Sequence, residues 1–179
     1  MTARSRCVAP VGICVLCTAV AACGHEPAAR GGRACEAVFP APYERVDACS
    51  AVPVMTAGVR AMFSYRPADQ GSPQAAFQAA EPLMDNAFAT HAAPAAVVLA
   101  PVTAAMWQQW AQRGVSVTAV VQATADDHPP DTATSAARVL AVTEQPGDAS
   151  PPIAFTVYAR AGRTDPATGW RITGLEVMT

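Results

Sequence analysis

The chain has no lysine. Its twelve basic residues are all arginine, set against fourteen acids, for a formal charge of −2 at neutral pH. So mildly acidic a chain lacks the basic footprint of a nucleic-acid binder, and nucleic acid is set aside as a partner. The missing lysine itself, beside heavy use of Ala, Val, Pro and Arg, reads as GC-rich coding and carries no physical signal. Histidine is scarce, and His25, His91 and His128 lie far apart along the chain. There is no Gly-x-Ser-x-Gly nucleophile elbow, no His-Glu-x-x-His motif and no phosphate-binding glycine loop. These absences leave no catalytic signature, no metal motif and no cofactor to expect.

What is present begins with an address. Residues 1–6 form a basic start, and residues 7–20 an apolar run too short to span a bilayer comfortably. Pro10 and Gly12 weaken it further as an anchor helix. Val20-Ala21-Ala22-Cys23 follows with the form of a lipobox, in which small residues precede a cysteine that is acylated after cleavage. Of the first four cysteines only Cys23 follows two small residues. Ordinary signal cleavage is the alternative. Removal of residues 1–22 takes Arg4 and Arg6 but no acid, so the formal charge goes from −2 to −4. The mature chain of 157 residues is one domain's worth, anchored outside the cytoplasm by its lipid.

Cys7, Cys14 and Cys17 leave with the leader, and Cys23 is the acylation site. An even pair, Cys35 and Cys49, remains in an exported chain. A disulfide is the default expectation, ahead of a reactive thiol, a metal site or an intermolecular bond. Residues 24–47, punctuated by Pro27, Gly31, Gly32, Pro40 and Pro42, read as a tether, so that residues 23–49 precede a domain over residues 50–179.

Periodicity fixes the domain's elements. Val52, Met55, Val59, Met62 and Phe63 mark one face of a first helix, capped by Ser50 and ended at Tyr65-Arg66-Pro67. A second helix starts at Ser72-Pro73 with Phe77, Ala80, Met84 and Phe88 inward, and Pro82 should kink or split it. A third runs over about residues 101–112, with Val102, Met106 and Trp110 inward and Gly114 as its stop. The period then changes to two. Strands are expected around residues 115–122, 137–142, 153–160 and 170–177, the last with a bulge near Gly174. Consecutive strands with hairpin-length links pair as an antiparallel meander. Three helices segregated before a four-stranded sheet make an α+β domain with one core.

An early helix ending at Phe63-Ser64-Tyr65 and a closing strand that opens Gly169-Trp170-Arg171-Ile172 carry a resemblance. The chain resembles the nuclear transport factor 2-like (cystatin-like, cone-shaped) superfamily over about residues 50–178. Within it, the chain is most similar to scaffold domains of type IV secretion and conjugation systems and to proteins accompanying actinobacterial mammalian-cell-entry lipid transporters. The resemblance implies a cone-like domain outside the cytoplasm and partners among other envelope proteins. A lipobox in place of a single transmembrane helix departs from those scaffolds. Some members of the superfamily are enzymes with an Asp or His in the pocket; Asp85 and His91 are the nearest candidates, and both read as surface groups.

Phe77, Trp107, Trp110 and Tyr158 are the residues that could line a pocket at the wide end of the cone, against the plainer reading that they are core. Tyr158 and Trp107 are expected to be partly exposed. Asp126-Asp127-His128 with Asp131 is the densest set of metal-ligand residue types, but its spacing matches neither an EF-hand loop nor a zinc signature, and Pro129-Pro130 make it a solvated turn. The reading is a non-enzymatic, lipid-anchored accessory subunit of an envelope machine, with self-association left open. The alternative is a small-molecule- or lipid-binding lipoprotein serving a transporter. Mass spectrometry of the mature N-terminus should find a diacylglyceryl-modified Cys23; an unmodified residue beyond Cys23 would remove the anchor.

Overall fold

The computed structural model describes residues 34–178. Five α-helical segments precede one sheet: α1 (Ala51–Met62), α2 (Pro73–Ala79), α3 (Asn86–Ala92), α4 (Ala96–Leu99) and α5 (Ala104–Arg113). The strands are β1 (Val117–Ala123), β2 (Ser135–Pro146), β3 (Ile153–Gly162) and β4 (Arg171–Met178), antiparallel in the order β1-β2-β3-β4. The α+β class and the meander agree with the alternation of the sequence. The proposed leader, lipobox and Cys23 lie outside the described residues.

α1 buries Val54, Met55, Val59 and Met62, a stripe at helical spacing, and meets all four strands. Gly58 sits within that stripe. A Cβ there would lie 2.3 Å from Cδ1 of Ile172 on β4, so any larger residue would require the buried end of Ile172 to move. Ser50 does not cap α1 as expected. Its hydroxyl turns back to donate to Asp47 Oδ2 at 2.5 Å, and Asp47 also accepts from the Cys49 N–H at 2.9 Å.

The expected second helix is several pieces, which is the main departure from the three-helix reading. Pro82 splits it, as a missing N–H and a ring clash require. A 3-10 turn over Glu81–Leu83 follows α2, and Asp85 then caps α3 by accepting from the N–H groups of Ala87 at 2.9 Å and Phe88 at 3.4 Å. The break is useful: Met84 bridges to Ile172, and Asp85 N–H donates to the Ile172 carbonyl at 2.8 Å. Pro94 makes a second 3-10 turn before α4. α5 is capped by Thr103 and ends at Gly114 in the left-handed region, φ 63°, as its sequence implies.

Residues 34–49 are part of this domain, which shortens the expected tether. The Cys35–Cys49 disulfide forms, with a Cα–Cα distance of 5.7 Å and a sequence separation of 14. A loop of that size is restrained by about 3 kcal/mol in chain-entropy terms. Phe39 and Ala48 are buried, Trp170 N–H donates to the Ala48 carbonyl at 2.7 Å, and Trp170 Nε1 donates to the Cys49 carbonyl at 3.1 Å. Proline and glycine content concealed one aromatic anchor, Phe39, that finds a place only beside β4.

The bulge near Gly174 is present. Arg160 pairs with Gly174 and Ala161 with Ile172, leaving Thr173 as the extra residue. Ile172 and Leu175 can then both face the helices. The Gly58 approach yields a test: Gly58→Ala should destabilise the fold by roughly 1–3 kcal/mol through overpacking. Ile172→Val in that background should recover part of the loss in chemical denaturation. An unchanged midpoint for Gly58→Ala would refute the close contact.

Candidate functional site

Of the four residues expected to line a pocket, Trp107 borders a small one of about 190 Å3 with Val97 and Val102, and Phe77, Trp110 and Tyr158 are not in its lining. Phe77 is buried and packs against Phe88, with ring centroids 6.3 Å apart. Trp107 and Trp110 are buried on α5, and Trp107 stands edge-on to Tyr65 at 5.2 Å. Trp107 is thus not the partly exposed residue it was expected to be. Tyr158 lies on the other face of the sheet: Phe155, Val157, Ala159 and Ala161 point to the helices, so the alternate residues of β3 point away. Tyr158 is half-buried there. The helix-facing space is filled by ring pairs such as Phe63 on Phe155, 5.0 Å apart.

That same space holds one acid the sequence reading passed over. Glu144 is fully buried. β2 runs past Val142 to Pro146, and its inward positions Leu140, Val142 and Glu144 pair with Val157, Phe155 and Ile153. Across β1 the partner of Glu144 is Ala119. Tyr65 reaches the same place from the end of α1, pinned to the sheet edge by reciprocal 2.9 Å bonds between its backbone and that of Val117. The Tyr65 hydroxyl and the Glu144 carboxyl are close enough to perturb each other's titration, yet neither makes a well-directed hydrogen bond among the described residues.

Burial in so dry a place favours the neutral form of both groups. Burial pushes the Glu144 carboxyl up to about 7, against a smaller opposing effect of Tyr65. Burial, then the charge of Glu144, pushes the Tyr65 phenol far above its ordinary range. A carboxyl titrating near neutrality could move a proton. Tyr65 also borders an open cleft of about 350 Å3 with Ser64, Arg66, Gln70, Ser116 and Thr118. The carboxyl itself is sealed from that cleft, with no exposed surface.

The other sequence candidates are at the surface. Asp85 is the cap of α3, and His91 is exposed with Nδ1 2.7 Å from the Ala87 carbonyl. In the acidic segment before β2, Asp131 takes both terminal nitrogens of Arg138, at 2.6 and 2.5 Å. That fork holds the Asp131 carboxyl below its ordinary value. His128 Nδ1 lies 3.3 Å from the same guanidinium. Among the described residues no group of three or more His, Cys, Asp or Glu gathers as metal ligands, and no single helix is long and apolar enough to cross a membrane.

The second feature is the sheet face turned from the helices. Val120, Val139, Tyr158 and Met178 are carried there by four different strands, with Val120 38 % and Met178 47 % exposed. Arg160 and Glu176 form an exposed ion pair at 3.1 Å beside them. No described element covers this face, while both sheet edges are engaged at one end, by Tyr65 on Val117 and Met84 on Ile172. Comparison with family models, curated proteins and solved structures finds no match to this chain.

The buried carboxyl gives a pH signature. Its folded pKa lies above the unfolded value of 4.5, so its contribution to stability is complete below pH 4.5 and is lost as pH rises through about 7. The loss amounts to about 3 kcal/mol. Glu144→Gln should flatten the stability curve between these limits and leave the variant more stable than the parent at pH 8. Parallel curves for the two proteins in denaturant titrations would show that Glu144 is not the titrating group.

Proposed function

We propose that the chain is a non-enzymatic, lipid-anchored envelope protein whose domain serves as an assembly or accessory subunit outside the cytoplasm. The observation that carries this reading is the open sheet face with Val120, Val139, Tyr158 and Met178 on it. A mixed face with apolar residues at its middle and an ion pair at its rim has the composition of a protein–protein contact. The disulfide between Cys35 and Cys49 is consistent with an oxidising compartment. The helices-then-meander order supports the cone-like, nuclear transport factor 2-like assignment and, through it, partners of the conjugation or secretion kind.

The alternative is a small-molecule- or lipid-binding lipoprotein serving a transporter. It needs an apolar cavity of about 300 Å3 or more between helices and sheet. Phe63 with Phe155 and Tyr65 with Trp107 pair in that space, and the pocket that Trp107 borders with Val97 and Val102 holds about 190 Å3, short of that need, which favours the assembly reading.

The test is the size of the protein extracted from membranes in mild detergent. It should elute in a complex well above its own mass. Val120→Glu with Val139→Glu should release it as a single chain while changing stability by no more than about 1 kcal/mol, because both sites lie outside the core. A parent protein that elutes alone would refute the assembly role.

A further inference from the structure

We propose that the cleft between the start of β2, the β3–β4 turn and the bulge of β4 is a binding site for a phosphate group. The cleft has a volume of about 460 Å3 and brings Arg163, Arg171, Thr134, Thr164, Thr173 and Asp85 into its walls. It accommodates a phosphate together with a small substituent.

Both guanidiniums are held in place by the protein itself. The Cζ atom of Arg163 lies 4.5 Å from the centroid of the Trp170 ring. Its Nε donates to the Ala133 carbonyl at 2.7 Å and its Nη1 to the Pro166 carbonyl at 3.1 Å. Arg171 lies over Phe39 at 4.4 Å, and its Nη1 donates to the Trp170 carbonyl at 2.9 Å. Neither forms a salt bridge among the described residues, as is true also of Arg45, Arg60 and Arg66, whereas Arg113, Arg138 and Arg160 each find a carboxylate. A guanidinium carries five N–H donors, so both retain donors for a ligand. Their planar forks match phosphate oxygens, and their rigid seating removes much of the entropy loss on binding. Partial burial also pulls the Arg171 pKa below its ordinary value.

The backbone is shaped to the same end. The bulge that follows from pairing Arg160 with Gly174 and Ala161 with Ile172 leaves Thr173 free to join the cleft wall. Glycines keep the walls close. A Cβ at Gly162 would lie 3.1 Å from Cγ2 of Thr173, and one at Gly169 would lie 2.8 Å from Cβ of Ala37 and 3.2 Å from Nη1 of Arg171. Asp85 is the single acid of the cleft, and one of its oxygens is already taken by the N–H groups of Ala87 and Phe88. The lining itself carries two cations against one acid, with Asp165 of the same turn bordering the adjoining cleft instead.

The phosphate could belong to a free phosphorylated solute or to a phospholipid headgroup, and the two differ as monoester and diester. Isothermal titration of the full protein at low ionic strength, with inorganic phosphate and with glycerophosphoglycerol, separates them. Saturable binding is expected for at least one probe. Arg163→Gln and Arg171→Gln should each weaken it tenfold or more. Asp85→Asn, which keeps a capping side chain, should tighten it severalfold. A preference for inorganic phosphate assigns the site to free phosphate or its monoesters, and a preference for the diester assigns it to a headgroup. No saturable binding of either probe would overturn the proposal. So would an affinity unchanged by Arg163→Gln at an unchanged melting temperature, or unchanged by Asp85→Asn.

Discussion

α1 lies across the helix-facing side of all four strands, and the rest of the molecule is arranged around how closely it comes. The absence of a side chain at Gly58 lets the helix press onto Ile172, and Val54, Met55, Val59 and Met62 fill the space on either side. Close packing of this kind tolerates little change in volume. It also fixes where the chain leaves the helix. Phe63 turns into Phe155, and Tyr65 closes on the edge of β1, which carries the phenol into the interior beside Glu144.

The start of β4 is the second fixed point, because three separate parts of the chain converge on it. Trp170 receives residues 48 and 49 through two hydrogen bonds, Arg171 receives Phe39, and Ile172 receives both Gly58 and the broken helix at Met84 and Asp85. The breaks made by Pro82 and Pro94 are therefore part of the architecture. A continuous helix from residue 73 could not have turned a backbone edge toward β4 at residue 84. The cleft with Arg163 and Arg171 is a by-product of this convergence, since the residues that anchor the N-terminal segment also fix the guanidiniums.

Much of this was legible. The helical stripe of α1, the Ser-Pro start of α2, the Gly114 stop, four alternating strands and a phase change near Gly174 are all local signals, set by backbone stereochemistry within a few residues. The Cys35–Cys49 bridge was legible from parity and from the expectation of export. Gly169-Trp170-Arg171-Ile172 could be picked out as a pattern, but its meaning could not. Each of those four residues acts on a segment distant in sequence. Glu144 was hidden for a related reason: beside Gln145-Pro146-Gly147 it reads as turn, and only the pairing of Glu144 with Ile153 shows that the strand continues inward. Its position in the phase of Leu140 and Val142 was the available clue.

The sequence by itself determined the class of the fold, the meander order and the helix stops, because each depends on neighbours in the chain, and the cysteine pair, because parity left a single choice. Tertiary structure alone decided which aromatics meet, that Tyr158 lies across the sheet from Trp107 and Trp110, and that residues 34–49 are part of the body. It also decided which arginines find carboxylates and which are held open. Those outcomes depend on the register between strands and on the proximity of distant segments. In a sheet a shift of one residue exchanges the two faces, so register has to be built before any side chain acquires a neighbour.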